Sequence, residues 1–442
     1  MAVARVLVVG SGGRENALAW ALARSQGQPR VWLAPGNGAS GAIPGCETLA
    51  IEASNGAGLV SACAEQKIKL VVIGPEGPLA AGLADQLRAA GVAVFGPGAD
   101  GAQLEASKQW AKQLMQEAGV PTAGFWVVES AEQGCRVARE LNRPLVVKAD
   151  GLAAGKGVTV ASNLAETLAA IEDCFSGRFG SAGRRVLLEE TLSGPEVSVF
   201  ALTDGERLLL LPPAQDHKRI GEGDSGPNIG GMGAYAPAPL LDGAGLDEVR
   251  RLVLEPILAA LRKRGISYRG VIYAGLMLTP SGIQVIEFNC RFGDPECQTL
   301  MPLLEGDLAE VLLACAEGRL ESAPPLTIRP QCSACVVAAA AEYPGEPKLG
   351  DLINDEGPGL SEAGADSSQL FYAGAKAASP GKFPGNGNGN GQLVTSGGRV
   401  LAVVAQAADF DAAFEAAYGR LAQVNFEGMQ VRKDIGHQVR KS

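Results

Sequence analysis

Four short apolar runs in the first hundred residues each end in a glycine-rich turn, and that repetition restricts the fold more than any other feature. Arg5 to Val9 closes on Gly10-Ser-Gly12-Gly13, and Val31 to Leu33 on Pro35-Gly-Asn-Gly38. Leu70 to Ile73 closes on Gly74-Pro-Glu-Gly-Pro78, and Val92 to Phe95 on Gly96-Pro-Gly98. Helical periodicity follows the first turn from Arg14 to Arg24. Strands alternating with helices, all turning over at glycine-rich carboxyl ends, predict a doubly wound parallel sheet with ligands at those ends. At the first turn, bare N–H groups and a helix start make an anion site. The dinucleotide fingerprint would place a third glycine at position 15; Glu15 stands there, which favours a phosphate or sugar phosphate over NAD. Glu76, in the third turn, is a candidate substrate contact as well as an ordinary solvated acid.

The second informative stretch is Ile283 to Pro295. Its first seven residues read as a strand, so Glu287 and Asn289 share one face while Ile286 and Phe288 take the packed one. A carboxylate and an amide oxygen two residues apart are hard ligands suited to Mg²⁺, which keeps water and phosphate oxygens in its other positions. Arg291 and Asp294 follow in a turn set by Gly293 and Pro295. The same pattern also fits a sheet edge with a solvated acid.

Between these stretches, Asp100 to Ala118 reads as one amphipathic helix carrying Lys108, by itself a surface lysine. Pro144 to Lys148 and Val158 to Val160 read as strands joined through Gly151, Gly155, Lys156 and Gly157, a hairpin able to fold over nucleotide phosphates. The Walker A pattern is absent. Val186 to Phe200 is strand, turn, strand, with Glu189, Glu190 and Glu196 available to an adenine amino group or ribose hydroxyls, or merely exposed at a crossover. Residues 213–239, rich in glycine and proline, predict a long functional loop holding Gln215-Asp216-His217-Lys218-Arg219. Leu246 to Arg264 predicts a helix kinked at Pro256. From about Thr327 the pattern restarts as a small α+β unit, with strands Ser333 to Ala341, Gln369 to Ala373 and Arg399 to Ala405 and a helix Phe410 to Ala422. Arg432-Lys433-Asp434 reads as solvated charge, and Ser379 to Gln392 as an inserted flexible loop.

Composition removes several classes. A net charge of −10 without a basic stripe argues against a nucleic-acid surface. No apolar run nears the ~18 residues of a membrane span, and the start has no signal-peptide layout, so a soluble cytoplasmic protein is expected. Nine cysteines without a framework predict reduced thiols, Cys332-x-x-Cys335 included, and two histidines leave little for histidine-centred chemistry.

The hairpin, the paired acids and the Glu-x-Asn strand, in this order, resemble the ATP-grasp enzymes. Within them the chain resembles the phosphoribosylamine–glycine ligase family, on the strings GSGGREN at the start, GPEGPL at 74, QLEASK at 103, VKADGLAAGKGV at 147, QDHKR at 215, GPNIGGMGAY at 226, VIEFNCRFGDPE at 285 and VRKDIG at 431. The resemblance implies three parts: an N-terminal α/β domain over 1–103; an ATP-grasp domain over 104–326, with a mobile lid at about 122–193; and a C-terminal α+β domain over 327–442. It implies ATP-dependent ligation of glycine to 5-phosphoribosylamine through a glycyl phosphate in de novo purine synthesis, with Mg²⁺ or Mn²⁺. Glu287 and Asn289 would hold the metal, and Lys108 and Lys148 the ATP phosphates beneath the Gly151 to Gly157 loop. Glu189 and Glu190 would border adenine, and Glu196 the ribose. Gly12, Gly13, Arg14 and Glu15 would lie near the phosphoribosyl group, and Arg291, Asp216 and Asp294 would position glycine or the acyl phosphate. Asn16 stands where the family usually has histidine, and Tyr372-Ala-Gly-Ala375 replaces His-Ala-Gly-Thr. The alternatives are an ATP-grasp ligase or carboxylase for another small acid, and a Rossmann-type oxidoreductase or nucleotide sensor.

Overall fold

The computed structural model describes residues 3–152, 157–357, 368–379 and 392–441. Strands β1 Arg5–Gly10, β2 Arg30–Pro35, β3 Cys46–Thr48, β4 Leu70–Ile73 and β5 Ala93–Phe95 form a parallel sheet in the order β3-β2-β1-β4-β5. Helices α1 Gly13–Ala23, α2 Gly56–Glu65, α3 Glu76–Ala80 and α4 Leu83–Ala89 connect them. This is the expected doubly wound sheet. Val6 to Val9 and Leu70 to Val72 are buried, as a parallel strand covered on both faces requires. The strand order reverses between β1 and β4, so their carboxyl ends meet at the switch point where such sheets bind ligands.

The helix expected over Asp100 to Ala118 is two helices, α5 Ala99–Ala106 and α6 Lys108–Ala118. Ser107 between them is extended (φ −131°, ψ 113°), and its hydroxyl accepts the Trp110 N–H at 3.1 Å. Such a cap contributes about 1 kcal/mol. Asp150 reinforces it, accepting from Gln109 N–H and from the Ser107 hydroxyl, both at 3.1 Å. The buried stripe Leu104, Ala111, Leu114 and Met115 runs across the break, so periodicity alone conceals it.

Strands β6 Phe125–Val128, β7 Leu145–Ala149, β8 Val158–Val160 and β9 Val186–Glu190 pair antiparallel in the order β6-β9-β7-β8, with α7 Ala131–Leu141 and α8 Leu164–Phe175. The β7–β8 hairpin is as expected, with Lys148 opposite Val158. Val128, Val147, Ile171 and Leu188 belong to a core of this unit's own, separate from the one that runs through the rest of the molecule.

After β10 Glu196–Thr203 and β11 Leu208–Leu210, the segment expected as a long loop forms β12 Gln215–Asp216, β13 Arg219–Gly221, β14 Ser225–Asn228 and β15 Gly233–Ala236. Here glycine permits close packing, not slack: a Cβ on Gly233 would come within 2.5 Å of the Cys335 carbonyl oxygen. Helices α9 Gly243–Val249 and α10 Glu255–Lys263 flank a π-helical turn, Arg250–Leu254, so the expected kink takes the form of a π turn just before Pro256. Strands β16 Gly270–Thr279 and β17 Gly282–Asn289 complete a sheet in the order β11-β10-β16-β17.

Strand β17 departs from simple alternation. Gly275 pairs with Glu287 and Leu276 with Val285, which leaves Ile286 as the extra residue of a bulge. The core side chains therefore switch from Ile283 and Val285 to Phe288, while Ile286 is only partly buried. Glu287 and Asn289 keep their common face.

The remaining elements are α11 Glu296–Leu300, β18 Leu304–Glu305, α12 Leu308–Glu317, β19 Thr327–Ile328, β20 Cys332–Ala339, β21 Leu352–Asp355, β22 Gln369–Tyr372, β23 Ala375–Ala377, β24 Leu393–Thr395, β25 Arg399–Ala407, α13 Phe410–Leu421 and β26 Val424–Asn425. Their main sheet, β12-β15-β20-β25-β22, takes two strands from the middle of the chain. Arg432 is not solvated: its side chain is 1% exposed and ion-paired to Asp224 at 2.9 Å and Asp434 at 2.8 Å. All nine cysteines are free thiols. Residues 380–391 of the expected inserted loop lie outside the described residues. No helix among the described residues is long and apolar enough to cross a membrane.

Candidate active site

The glycine turn after β1 is built around Glu15. Its carboxylate accepts the Gly12 N–H and the Arg14 Nε–H, each at 2.6 Å. A Cβ on Gly10 would approach the Glu15 side chain to 2.6 Å, and one on Gly74 to 2.0 Å. Glycine at the ends of β1 and β4 thus makes room for an acid where a dinucleotide site has a third glycine. Arg14 also donates to the Phe292 carbonyl at 3.1 Å, and its backbone N–H faces Asp294 at 3.4 Å. The sheet turn and the end of β17 are therefore one surface.

At that end, among the described residues, neither the Glu287 carboxylate nor the Asn289 amide has a hydrogen-bond or ion-pair partner within hydrogen-bonding reach. Burial alone would raise the Glu287 pKa, but Lys218, Lys148, Lys108 and Arg291 together hold it below the ordinary range. A carboxyl held that low favours its charged form, its oxygens are unclaimed among the described residues, and four cations act on it. One carboxylate and one amide supply part of the hard, octahedral shell that Mg²⁺ requires; water and phosphate oxygens suit the rest. The residues present fit a metal that arrives with a polyphosphate, and the nearby lysines fit its phosphates.

Helix α6 and the lid sheet place the lysines. Lys108, first residue after the Ser107 cap, donates to the Gly151 carbonyl at 2.9 Å. Burial and Lys148 depress its pKa, against Glu287 and Asp150. Lys148, at the end of β7, lies 3.0 Å from Glu189 and donates at 3.2 Å to the carbonyl of Ile286, the bulged residue of β17. Glu189 also pairs with Lys112 at 2.9 Å, so this acid is buried between two lysines instead of open to a base. Glu190 is half-exposed against Arg143 at 2.5 Å. Gly151 has a positive φ of +156°; Gly157 immediately precedes β8; Gly155 and Lys156 lie outside the described residues.

On the opposite wall, Glu196 pairs with Lys218 at 2.6 Å. Burial raises the Asp216 carboxyl, with Glu296 and Glu196 adding to it against Lys218. The Tyr273 hydroxyl donates to Glu296 at 2.7 Å and lies 2.9 Å from Ser198. Arg291 is held by Glu105 at 2.6 Å and Glu76 at 3.2 Å. Asp294 accepts from Gln298 at 2.7 Å and faces Arg399 at 3.3 Å. Burial pushes its carboxyl up, and Arg399, Arg14 and the Gln298 bond bring it below the ordinary range.

Residues 4–105, 106–297 and 333–438 match the N, ATP-grasp (A) and C domains of phosphoribosylglycinamide synthetase. Phosphoribosylamine–glycine ligase of Synechocystis sp. is 48% identical over 436 residues, covering 98% of this chain and 100% of the relative. The chain belongs to the phosphoribosylglycinamide synthetase family. The crystal structure of phosphoribosylamine–glycine ligase from Thermotoga maritima superposes with a TM-score of 0.82 at 32% identity, covering 97% of this chain and 99% of that one. The biotin carboxylase domain of Hydrogenobacter thermophilus 2-oxoglutarate carboxylase shares the fold alone: TM-score 0.69, 17% identity, 98% of this chain and 92% of that one.

In this synthetase-family chain the two departures from the usual strings touch each other: the Tyr372 N–H donates to the Asn16 side-chain oxygen at 3.2 Å. Sequence reasoning passed over Glu105 and Lys112, polar residues on helix faces otherwise read as surface, and Lys218, Tyr273, Glu296 and Arg399. Of these, Glu105, Lys218 and Glu296 had a signal, each lying in a string already singled out: QLEASK, QDHKR and VIEFNCRFGDPE.

Proposed function

We propose that the chain joins glycine to 5-phosphoribosylamine, using ATP and giving glycinamide ribonucleotide, ADP and phosphate; its likeness to phosphoribosylamine–glycine ligases and its ATP-grasp domain support this reading. A carboxylate oxygen of glycine attacks the γ-phosphorus, the bond to the β-phosphate oxygen breaks, and ADP leaves with the electron pair. The amine nitrogen of phosphoribosylamine then attacks the acyl carbon, phosphate leaves, and the nitrogen loses its proton to solvent. The protein's task is positioning and charge compensation, with no covalent enzyme intermediate. Lys108 and Lys148 take the ATP phosphates beside Gly151 and Gly157, while Glu190 and Glu196 border adenine and ribose. Glu189 acts by orienting Lys148. Arg291, Asp216 and Asp294 position glycine and its acyl phosphate; Gly12, Gly13, Arg14 and Glu76 face the phosphoribosyl group, and Glu15 shapes their turn. Glu287 and Asn289 would hold Mg²⁺ or Mn²⁺, whose charge offsets that of the phosphates. The domains divide as 1–103, 104–326 and 327–442, and the protein acts in the cytoplasm on small molecules.

The observation that carries this reading is the Glu287 carboxylate beside Asn289 on one face of β17, with no hydrogen-bond or ion-pair partner among the described residues and with Lys108, Lys148, Lys218 and Arg291 holding its pKa low. The test is ADP release that needs both glycine and phosphoribosylamine and disappears in Glu287→Gln. ADP formation that persists without glycine contradicts it.

A further inference from the structure

Glu105 takes no part in the roles above, yet it touches Arg291, which does, and the Cys290 backbone between Arg291 and Asn289. It sits on the last turn of α5 with its side chain 8% exposed. One carboxylate oxygen accepts from Arg291 Nη2 at 2.6 Å. The other accepts the Cys290 N–H at 2.9 Å and lies 3.2 Å from the Cys290 sulfur. A single, largely buried carboxylate therefore grips both the Arg291 guanidinium and the backbone joining Arg291 to Asn289.

The geometry points to Glu105 as a positioning residue that sets the distance and orientation of Arg291 relative to the Glu287 and Asn289 pair. Arg291 has a second acid, Glu76, at its Nε, but that side chain is 31% exposed and belongs to a ligand-facing turn. Its Nη1 donates to the Phe292 carbonyl at 3.2 Å. An anionic substrate group entering from solvent competes with Glu76 for the guanidinium, whereas the buried Glu105 stays. One edge of Arg291 is thus fixed, and the N–H groups left over meet the substrate. Glu105 lies three residues before Lys108, across the Ser107 break, so the same helix junction registers the phosphate lysine and the arginine on one strand end. This inference rests on the reading that Arg291 orients glycine or its acyl phosphate.

The test is a kinetic cycle of Glu105→Gln, Arg291→Lys and the double variant. Glutamine keeps an acceptor for the Cys290 N–H and removes the charge-assisted grip on Arg291. The expected result is a glycine kcat/KM at least about tenfold lower in Glu105→Gln, with the ATP KM within about twofold of wild type. The double variant should be no worse than Arg291→Lys alone, because Glu105 acts only through that side chain. Independent, multiplying losses in the double variant, or a loss in Glu105→Gln that raises the ATP KM as much as it lowers glycine kcat/KM, overturn the assignment. Should Glu105→Gln not fold, Glu105→Asp enters the same cycle with the same outcomes. Wild-type chain assayed in parallel separates the two levels: absence of glycine-dependent ADP release there removes the ligase reading itself, whereas normal wild-type activity with a silent Glu105→Gln removes this inference alone.

Discussion

Lys112→Met tests the idea that the lid is locked to the body through one buried charge pair. The Lys112 side chain is 2% exposed and bound to Glu189 at 2.9 Å and the Thr122 hydroxyl at 2.8 Å. Methionine preserves the stem and deletes the charge. Removing one partner of a buried pair costs about 3–5 kcal/mol, because the other charge stays desolvated. Lys148 remains 3.0 Å from Glu189, which places the expected cost at the lower end, about 3 kcal/mol. Since the lid has its own core, the loss should appear there first: amide hydrogen exchange over 125–190 accelerates by roughly 100-fold, while the β1–β5 sheet stays protected. Raising the salt concentration should change little, since the pair is shielded from counterions. The ATP KM should rise as well, because Glu189 then orients Lys148 with half its support. Unchanged lid exchange would refute the reasoning. So would free-energy costs of Lys112→Met and Glu189→Gln that add to within about 0.5 kcal/mol in the double variant.

Three further outcomes are expected. Burial and Arg432 lower the His217 pKa from its ordinary 6.5 to about 4; below pH 6.5 the unfolded chain binds a proton that the native one refuses. Stability therefore falls between pH 6.5 and 4, by up to about 3 kcal/mol, and urea unfolding of His217→Asn should show a correspondingly shallower slope in that window. Gly74→Ala puts a methyl group against the Glu15 carboxylate, so Glu15 must leave the Gly12 N–H; the phosphoribosylamine KM should rise severalfold with the ATP KM unchanged, and equal effects on both would count against it. Arg399 donates to the carbonyls of Gly230 at 2.6 Å and Asp294 at 2.7 Å and helps hold the Asp294 carboxyl low; in Arg399→Met the acidic limb of the kcat/KM profile should move to higher pH, and an unmoved limb excludes Asp294 as its source.

Much of the fold and of the site was legible in residue order because it rests on local rules. Gly10, Gly74 and the apolar runs before them specify parallel strands ending in ligand-facing turns, and the two-residue period of β17 puts Glu287 and Asn289 together whatever surrounds them. Spacing within a single strand or turn is short-range chemistry, and a sequence states it directly. What surrounds those residues depends on contacts between segments a hundred or more positions apart. Only the folded chain brings Glu105 to Arg291 and Lys112 to Glu189, bends β17 at Ile286 so that its carbonyl meets Lys148, and carries β12 and β15 into a sheet with β20. Isolated along the sequence, those polar side chains look like solvated surface, since nothing local marks that a partner will desolvate them. The strand thus declared its candidate ligands, while the charges that hold the Glu287 pKa low and Arg291 in place were decided by tertiary packing, because a buried charge is stable only where a distant element supplies its counter-charge.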